Sequence, residues 1–106
     1  MTTESSTIGN ISNDNQDFTM RQWLVIEFSY VTKEKIETDF CIVPLGSKEI
    51  DGRWYLFGLD LDKHLRIFDM ANITHEIGFF FEIFSLPRTL DFERIATRYF
   101  SPERVE

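Results

Sequence analysis

Cysteine, basic residues and long apolar runs are all scarce in this 106-residue chain, and each scarcity closes off a class of protein. The single cysteine, Cys41, excludes an internal disulfide and leaves no cysteine-based metal cluster. Lys and Arg number 11 against 18 Asp and Glu, for a net charge of −7. Proteins that coat nucleic acid through phosphate contacts carry a positive excess, so broad, non-specific binding of that kind is excluded. A small basic pocket is not, because salt confines surface fields to about 8–10 Å. No apolar run approaches the ~20 residues of a bilayer-spanning helix. The densest, Ile77 to Phe84, is short and broken by Glu82. The opening Met1-Thr2-Thr3-Glu4-Ser5-Ser6 has neither the basic nor the apolar part of a secretory signal, so a cytoplasmic protein is expected. Gly46, Gly52, Gly58 and Gly78 are scattered singly, which leaves no Gly-rich phosphate loop, and no internal repeat is visible.

What is present is aromatic. Hydrophobic residues are 42% of the chain and aromatics 15%, with eleven Phe. That supplies one core for one domain. Three regions are expected: a flexible leader over 1–19, a β-barrel over 20–86 and a helical tail over 87–106. The leader is rich in Ser, Thr, Asn and Asp and buries too little to offset its ordering entropy. Asn10-Ile11-Ser12 and Asn72-Ile73-Thr74 match the glycosylation sequon and read as chance.

Between Trp23 and Val31 one parity collects Leu24, Ile26, Phe28 and Tyr30, which predicts a strand with one fully apolar face. Thr32-Lys33-Glu34-Lys35 has the brevity and charge of a hairpin connection. Ile36 to Val43 repeats the alternation, and Pro44, with no N–H to donate, is expected to end regular pairing. Gly46-Ser47-Lys48 and Asp51-Gly52 are turn signals. Arg53 to Leu59 and His64 to Phe68 are strand-like around the tip Asp60-Leu61-Asp62-Lys63. Ile73 to Phe84 reads as a last, largely buried strand, with Gly78 marking a bulge. After Leu86-Pro87 the spacing turns helical at Phe92, Ile95, Ala96 and Tyr99, with Thr89 or Asp91 as cap. Short strands in series and one helix predict a mainly β fold, a small antiparallel barrel with a short C-terminal helix.

The candidate chemistry is that of binding. Arg66 can fork two hydrogen bonds onto a phosphate, and it shares a strand parity with His64 and Phe68. Tyr30 and Tyr55 offer flat faces on which each stacked base is worth about 1–3 kcal/mol. The plainer alternative makes both tyrosines core residues and pairs Arg66 with Asp60 or Asp69. Trp54 is expected as a core anchor and Arg53 as a solvated neighbour of a turn. In the tail, Arg88, Arg94, Arg98 and Arg104 lie opposite Phe92, Ile95 and Tyr99. That is either the solvated side of a packed helix or a docking face using Arg94, Arg98 and Tyr99.

Metal and catalytic signals fail. Asp60-x-Asp62-x-His64 opens like a calcium loop, but its sixth and twelfth places are Leu65 and Ala71 rather than Gly and Glu. His64 and His75 lack third and fourth zinc partners. Cys41, mid-strand between Phe40 and Ile42, has the setting of an inert thiol. No cofactor, no metal and no enzymatic activity are expected.

Taken in order, Val43-Pro44-Leu45, Arg53-Trp54-Tyr55-Leu56, Leu65-Arg66-Ile67-Phe68 and Asn72-Ile73 resemble the WYL-domain family, whose name Trp54-Tyr55-Leu56 spells. The stretch from Phe84 through Pro87 to Phe92 is similar to the segment that follows the barrel in that family. The resemblance covers about residues 20–100. It implies an Sm-like, SH3-like barrel of the kind found behind a helix-turn-helix in bacterial regulators of transcription or of mobile-element defence. It also implies a basic, aromatic pocket for a nucleotide or single-stranded nucleic acid. With no room for a helix-turn-helix before residue 20, a stand-alone module acting on a larger regulatory or effector protein is expected. Where the family often has two further Arg residues, this chain has Phe40 and Asn72. The other expectation, from a different class, is a protein-interaction or homodimerisation module built on residues 77–84 and open sheet edges.

Overall fold

Tight turns break the chain into strands. Asp51 and Gly52 both take left-handed backbone, with φ of 53° and 83°, as the two-residue turn of a right-twisted hairpin demands. Lys35 and Lys63 do the same at φ 68° and 69°, closing the turns whose amides bond back to the Thr32 and Asp60 carbonyls. The computed structural model describes residues 18–87 and 90–106. The expected leader up to residue 17, its sequon, Arg88 and Thr89 lie outside the described residues.

Among the described residues there are five strands, β1 (Phe18–Val31), β2 (Glu37–Ile50), β3 (Arg53–Asp60), β4 (Leu65–Asp69) and β5 (Ile73–Pro87), followed by helix α1 (Phe92–Tyr99). Short 3-10 turns occupy Met70–Asn72 and Pro102–Arg104. The strands form one antiparallel sheet in the order β4-β3-β2-β1-β5. The fold is mainly β, as expected, but among the described residues β4 and β5 are the outer strands, β4 met only by a bridge from Val105 to Ile67, and the sheet is not closed.

Pro44 does not end pairing. It sits opposite Gly58, and the ladder resumes with Gly46 opposite Phe57, so Leu45 is the extra residue of a bulge. A bulge is where a strand interior tolerates proline. Gly46 is accordingly not in a turn. A Cβ there would stand 2.9 Å from the Phe92 ring, so the glycine lets α1 approach the sheet.

Cross-strand register sorts the side chains onto two faces. One, here the aromatic face, carries Ile26, Phe28, Tyr30, Phe40, Ile42, Leu56 and Phe68. The helix face carries Val25, Val43, Phe57, Leu59 and Ile67, with Leu86 from β5 packed against Val25, Val43 and Leu59. The helix face is covered by Ile95 and Ala96 of α1, with Phe92, Phe100 and Val105 packed alongside. Asp91 caps α1 by accepting the Arg94 amide at 3.2 Å, the second of the two expected caps. β1 therefore buries both parities in turn, Val25 on the helix face and Phe28 and Tyr30 on the other, while Leu24 is exposed.

β5 reverses its expectation of burial. Ile77, Phe79, Phe80, Phe81 and Ile83 are all exposed. A continuous apolar run reads as a strand covered on both faces, but β5 is an outer strand and, among the described residues, nothing covers its aromatic face. The expected bulge is present: Gly78 pairs with Glu27 and Glu76 with Phe28, leaving Ile77 extra.

Candidate functional site

Arg66, the second residue of β4, lies on the aromatic face opposite Gly58. Its Nε donates to Asp60 Oδ2 at 2.9 Å and a terminal nitrogen donates to Glu106 Oε2 at 3.2 Å. Asp60 is held in turn by its own hairpin tip, where Oδ1 accepts the Asp62 and His64 amides, each at 2.9 Å. His64 Nδ1 stands 3.7 Å from the same carboxylate. Glu106 is delivered from the far end of the chain, where its amide donates to the Ile67 carbonyl at 2.8 Å beside a parallel bridge between Val105 and Ile67. Burial pulls the Arg66 pKa down, but the hydrogen bonds to Asp60 and Glu106 outweigh it and hold the guanidinium above its ordinary value. Arg66 is thus a half-exposed cation, fixed on one side by Asp60 and met on the other by Glu106.

Of the residues expected beside Arg66, only His64 is there, two positions back and sharing Asp60. Tyr30 is 0% exposed. Its ring meets Phe28, Phe40 and Phe68 edge-on, and its oxygen accepts the Asp69 amide at 2.9 Å. Burial pushes its phenol pKa up. Phe68 is equally buried in that cluster, 4.9 Å from Phe40, so neither ring keeps a face for a base. Tyr55 looks to the helix face, opposite to Arg66, with its ring centroid 4.9 Å from that of Phe100. Phe40, standing where the family often has Arg, belongs to the same aromatic cluster.

Trp54 and Arg53 both lie in the open, the first against expectation and the second as expected. Trp54 is not a core anchor but 52% exposed, because the start of β3 reaches past the covered part of the aromatic face. Beside it Arg53 donates to Asp69 Oδ2 at 2.7 Å. Asp69, buried, also accepts the Ala71 amide at 3.0 Å. Ser47, Arg53, Trp54, Asp69 and Met70 line an open groove of about 860 Å³. The signal was the position of Arg53-Trp54 directly after a turn, where a strand has few neighbours.

In the tail, the guanidinium groups of Arg98 and Arg104 lie 5.6 and 5.8 Å from the Tyr99 ring. Arg94 and Arg98 are on the exposed side of α1. Among the described residues, Asp60, Asp62 and His64 bring ligand atoms within 4.8 Å of one another, but both Asp60 oxygens already serve the hairpin tip and Arg66. Cys41 is half-buried, and burial first, then Glu27 and Asp39, raises its thiol pKa.

An open antiparallel sheet with short turns, backed by one helix and carrying a fixed arginine on its outer strand, defines a small, mainly β module. The WYL domain, as a protein-family model, matches residues 19–75, more than half of the chain. The chain belongs to the WYL-domain family. Neither curated proteins nor solved structures gave a match. No helix of the described residues is long and apolar enough to cross a membrane.

Proposed function

We propose that this chain is a non-enzymatic regulatory module. It binds a nucleotide or short single-stranded nucleic acid at Arg66 and changes its contact with a larger protein in response. The sheet is read as an Sm-like barrel left open between β4 and β5. The observation that carries the reading is the pairing of Arg66 with Glu106. A guanidinium has five donors in a fixed fork, and here a single carboxylate from a distant segment occupies the side that Asp60 leaves. A phosphate presents a pair of oxygens to the same fork, and a terminal phosphate carries more charge than a carboxylate, so it replaces Glu106 while Asp60 keeps the fork in place. His64, exposed and adjacent, supplies the ring and a second donor that Tyr30 and Tyr55 cannot. Displacing Glu106 releases the segment bonded to β4, which couples binding to a change at the sheet edge.

The test is a thermal-shift panel of nucleotides and single-stranded oligonucleotides. A ligand that binds only the native state raises Tm by mass action, and Arg66→Ala removes the rise without altering the fold. No shift with any member of the panel rejects the reading. A second reading, an association module, is favoured by a different observation: the exposed aromatic side chains of β5.

A further inference from the structure

The aromatic face continues past the core where β1 and β5 run out together. Met20, Leu24, Phe79, Phe81 and Ile83 stand on it, with Phe79 68%, Phe81 56% and Ile83 59% exposed. Leu24 is paired with Phe81 and Ile26 with Phe79. No charge interrupts this row, since Glu82 pairs with Trp23 on the other face and Arg21 lies over the Trp23 ring at 4.1 Å. Phe79 and Phe81 brace each other edge to face, centroids 6.3 Å apart. Directly beside them is a mostly apolar hollow of about 390 Å³ walled by Ile26, Phe28, Leu56, Met70, Ile73 and Phe79, with Glu27 and Glu76 also on its lining.

We propose that this face joins two copies of the chain, packed face to face about a two-fold axis, with Phe81 of each copy entering the hollow of the other. The proposal rests on the association reading and names its partner. A two-fold interface requires one patch to carry both a projection and the recess that receives it. The β1–β5 ribbon does: Phe81 lies two residues, about 7 Å, along the strand from Phe79 at the hollow's rim. Area agrees. Aromatic side chains bury about 150–250 Å² when covered. Five partly exposed apolar side chains then offer on the order of 500 Å² per copy, and two copies reach about 1,000 Å², the lower bound for a specific interface. A dimer with a dissociation constant in the micromolar range follows. Charge separates this partner from others. Each copy carries −7, and Glu27 and Glu76 on the lining of the hollow add negative charge at the face, so salt screens repulsion between copies and strengthens the dimer. A basic partner would be weakened by salt. The row from Ile77 to Phe84 lies beyond the stretch that the family model matches.

The experiment is sedimentation velocity on the full chain from about 1 to about 200 µM, at low and high salt. Expected are a monomer–dimer equilibrium shifted to dimer by salt and a dissociation constant raised at least about tenfold by Phe81→Glu. Circular dichroism should be unchanged, and Ile36→Glu, at an exposed turn, is the neutral control. Should Phe81→Glu lose its native spectrum, Ile83→Glu takes its place. A dimer that survives the substitution, or that salt dissociates, overturns the proposal. So does a chain that stays monomeric throughout. In that last case binding of an anilinonaphthalene dye separates the two failures. Dye bound by the wild type and lost in Phe81→Glu leaves the association reading standing with a different partner; no dye binding removes both.

Discussion

Tyr30→Phe removes one oxygen from the middle of the protein and leaves the ring where it was. That oxygen is the acceptor for the Asp69 amide at 2.9 Å, at a side chain with no exposure. Without it a buried N–H is orphaned, which costs about 1–3 kcal/mol. At a mid-range loss of about 2 kcal/mol, Tm falls by roughly 8–16 °C for a domain near this size. Tyr30→Ala also removes the ring that touches Phe28, Phe40 and Phe68 and costs about 3–5 kcal/mol, as other buried aromatic truncations do. Urea unfolding followed by circular dichroism measures both, with an unchanged slope showing that only stability moved. The same variant separates core from ligand site, because phenylalanine stacks a base as well as tyrosine does. A core role predicts lost stability and retained ligand binding. A Tyr30→Phe protein within about 0.5 kcal/mol of wild type but deficient in binding nucleotide would refute the placement.

Three further outcomes follow from the same coordinates. Gly58→Ala puts a Cβ 2.5 Å from Ile42 Cδ1 and 2.9 Å from the Val43 carbonyl; since backbone cannot yield, unfolding free energy should drop by about 1–3 kcal/mol or more. Gly52→Ala meets no atom but keeps φ at 83°, so its cost is limited to about 1–2 kcal/mol of left-handed strain, read from the same urea curves. A phenol whose folded pKa is raised by burial contributes stability that is complete below the unfolded value near 10 and lost as pH rises through the folded one. Wild type should therefore destabilise above about pH 10 more steeply than Tyr30→Phe; parallel curves would show that the phenol ionises freely in the folded protein.

The strands were legible because their alternation is local. Asp51-Gly52, Lys35 and Lys63 took the turns their positions suggest, and Asp91 caps α1. What failed to read were properties set by neighbours distant in sequence. Pro44 looks like a stop until Leu45 is seen to bulge, and Gly46 looks like a turn until Phe92 arrives against it. The apolar run of β5 resembles a buried strand because composition does not say whether a strand lies at an edge. The site followed the same rule. Arg66 with Asp60 and His64 lies within one hairpin, and pairing with Asp60 was one of the two alternatives the residues left open. Glu106, forty positions away, could be brought to Arg66 only by the fold. Tyr30 and Tyr55 were separated by one fact that parity within a single strand does not reveal, namely which sheet face meets the helix.

The central claim is that an anionic ligand exchanges with Glu106 at Arg66, and anisotropy of a labelled single-stranded oligonucleotide tests it most directly. Measured at two salt concentrations on wild type, Glu106→Gln and Arg66→Ala, the account predicts opposite effects. Glu106→Gln binds more tightly, because a competing carboxylate has gone, while Arg66→Ala loses binding and its salt dependence together. Equal affinity in all three proteins, or weaker binding by Glu106→Gln than by wild type, would contradict it.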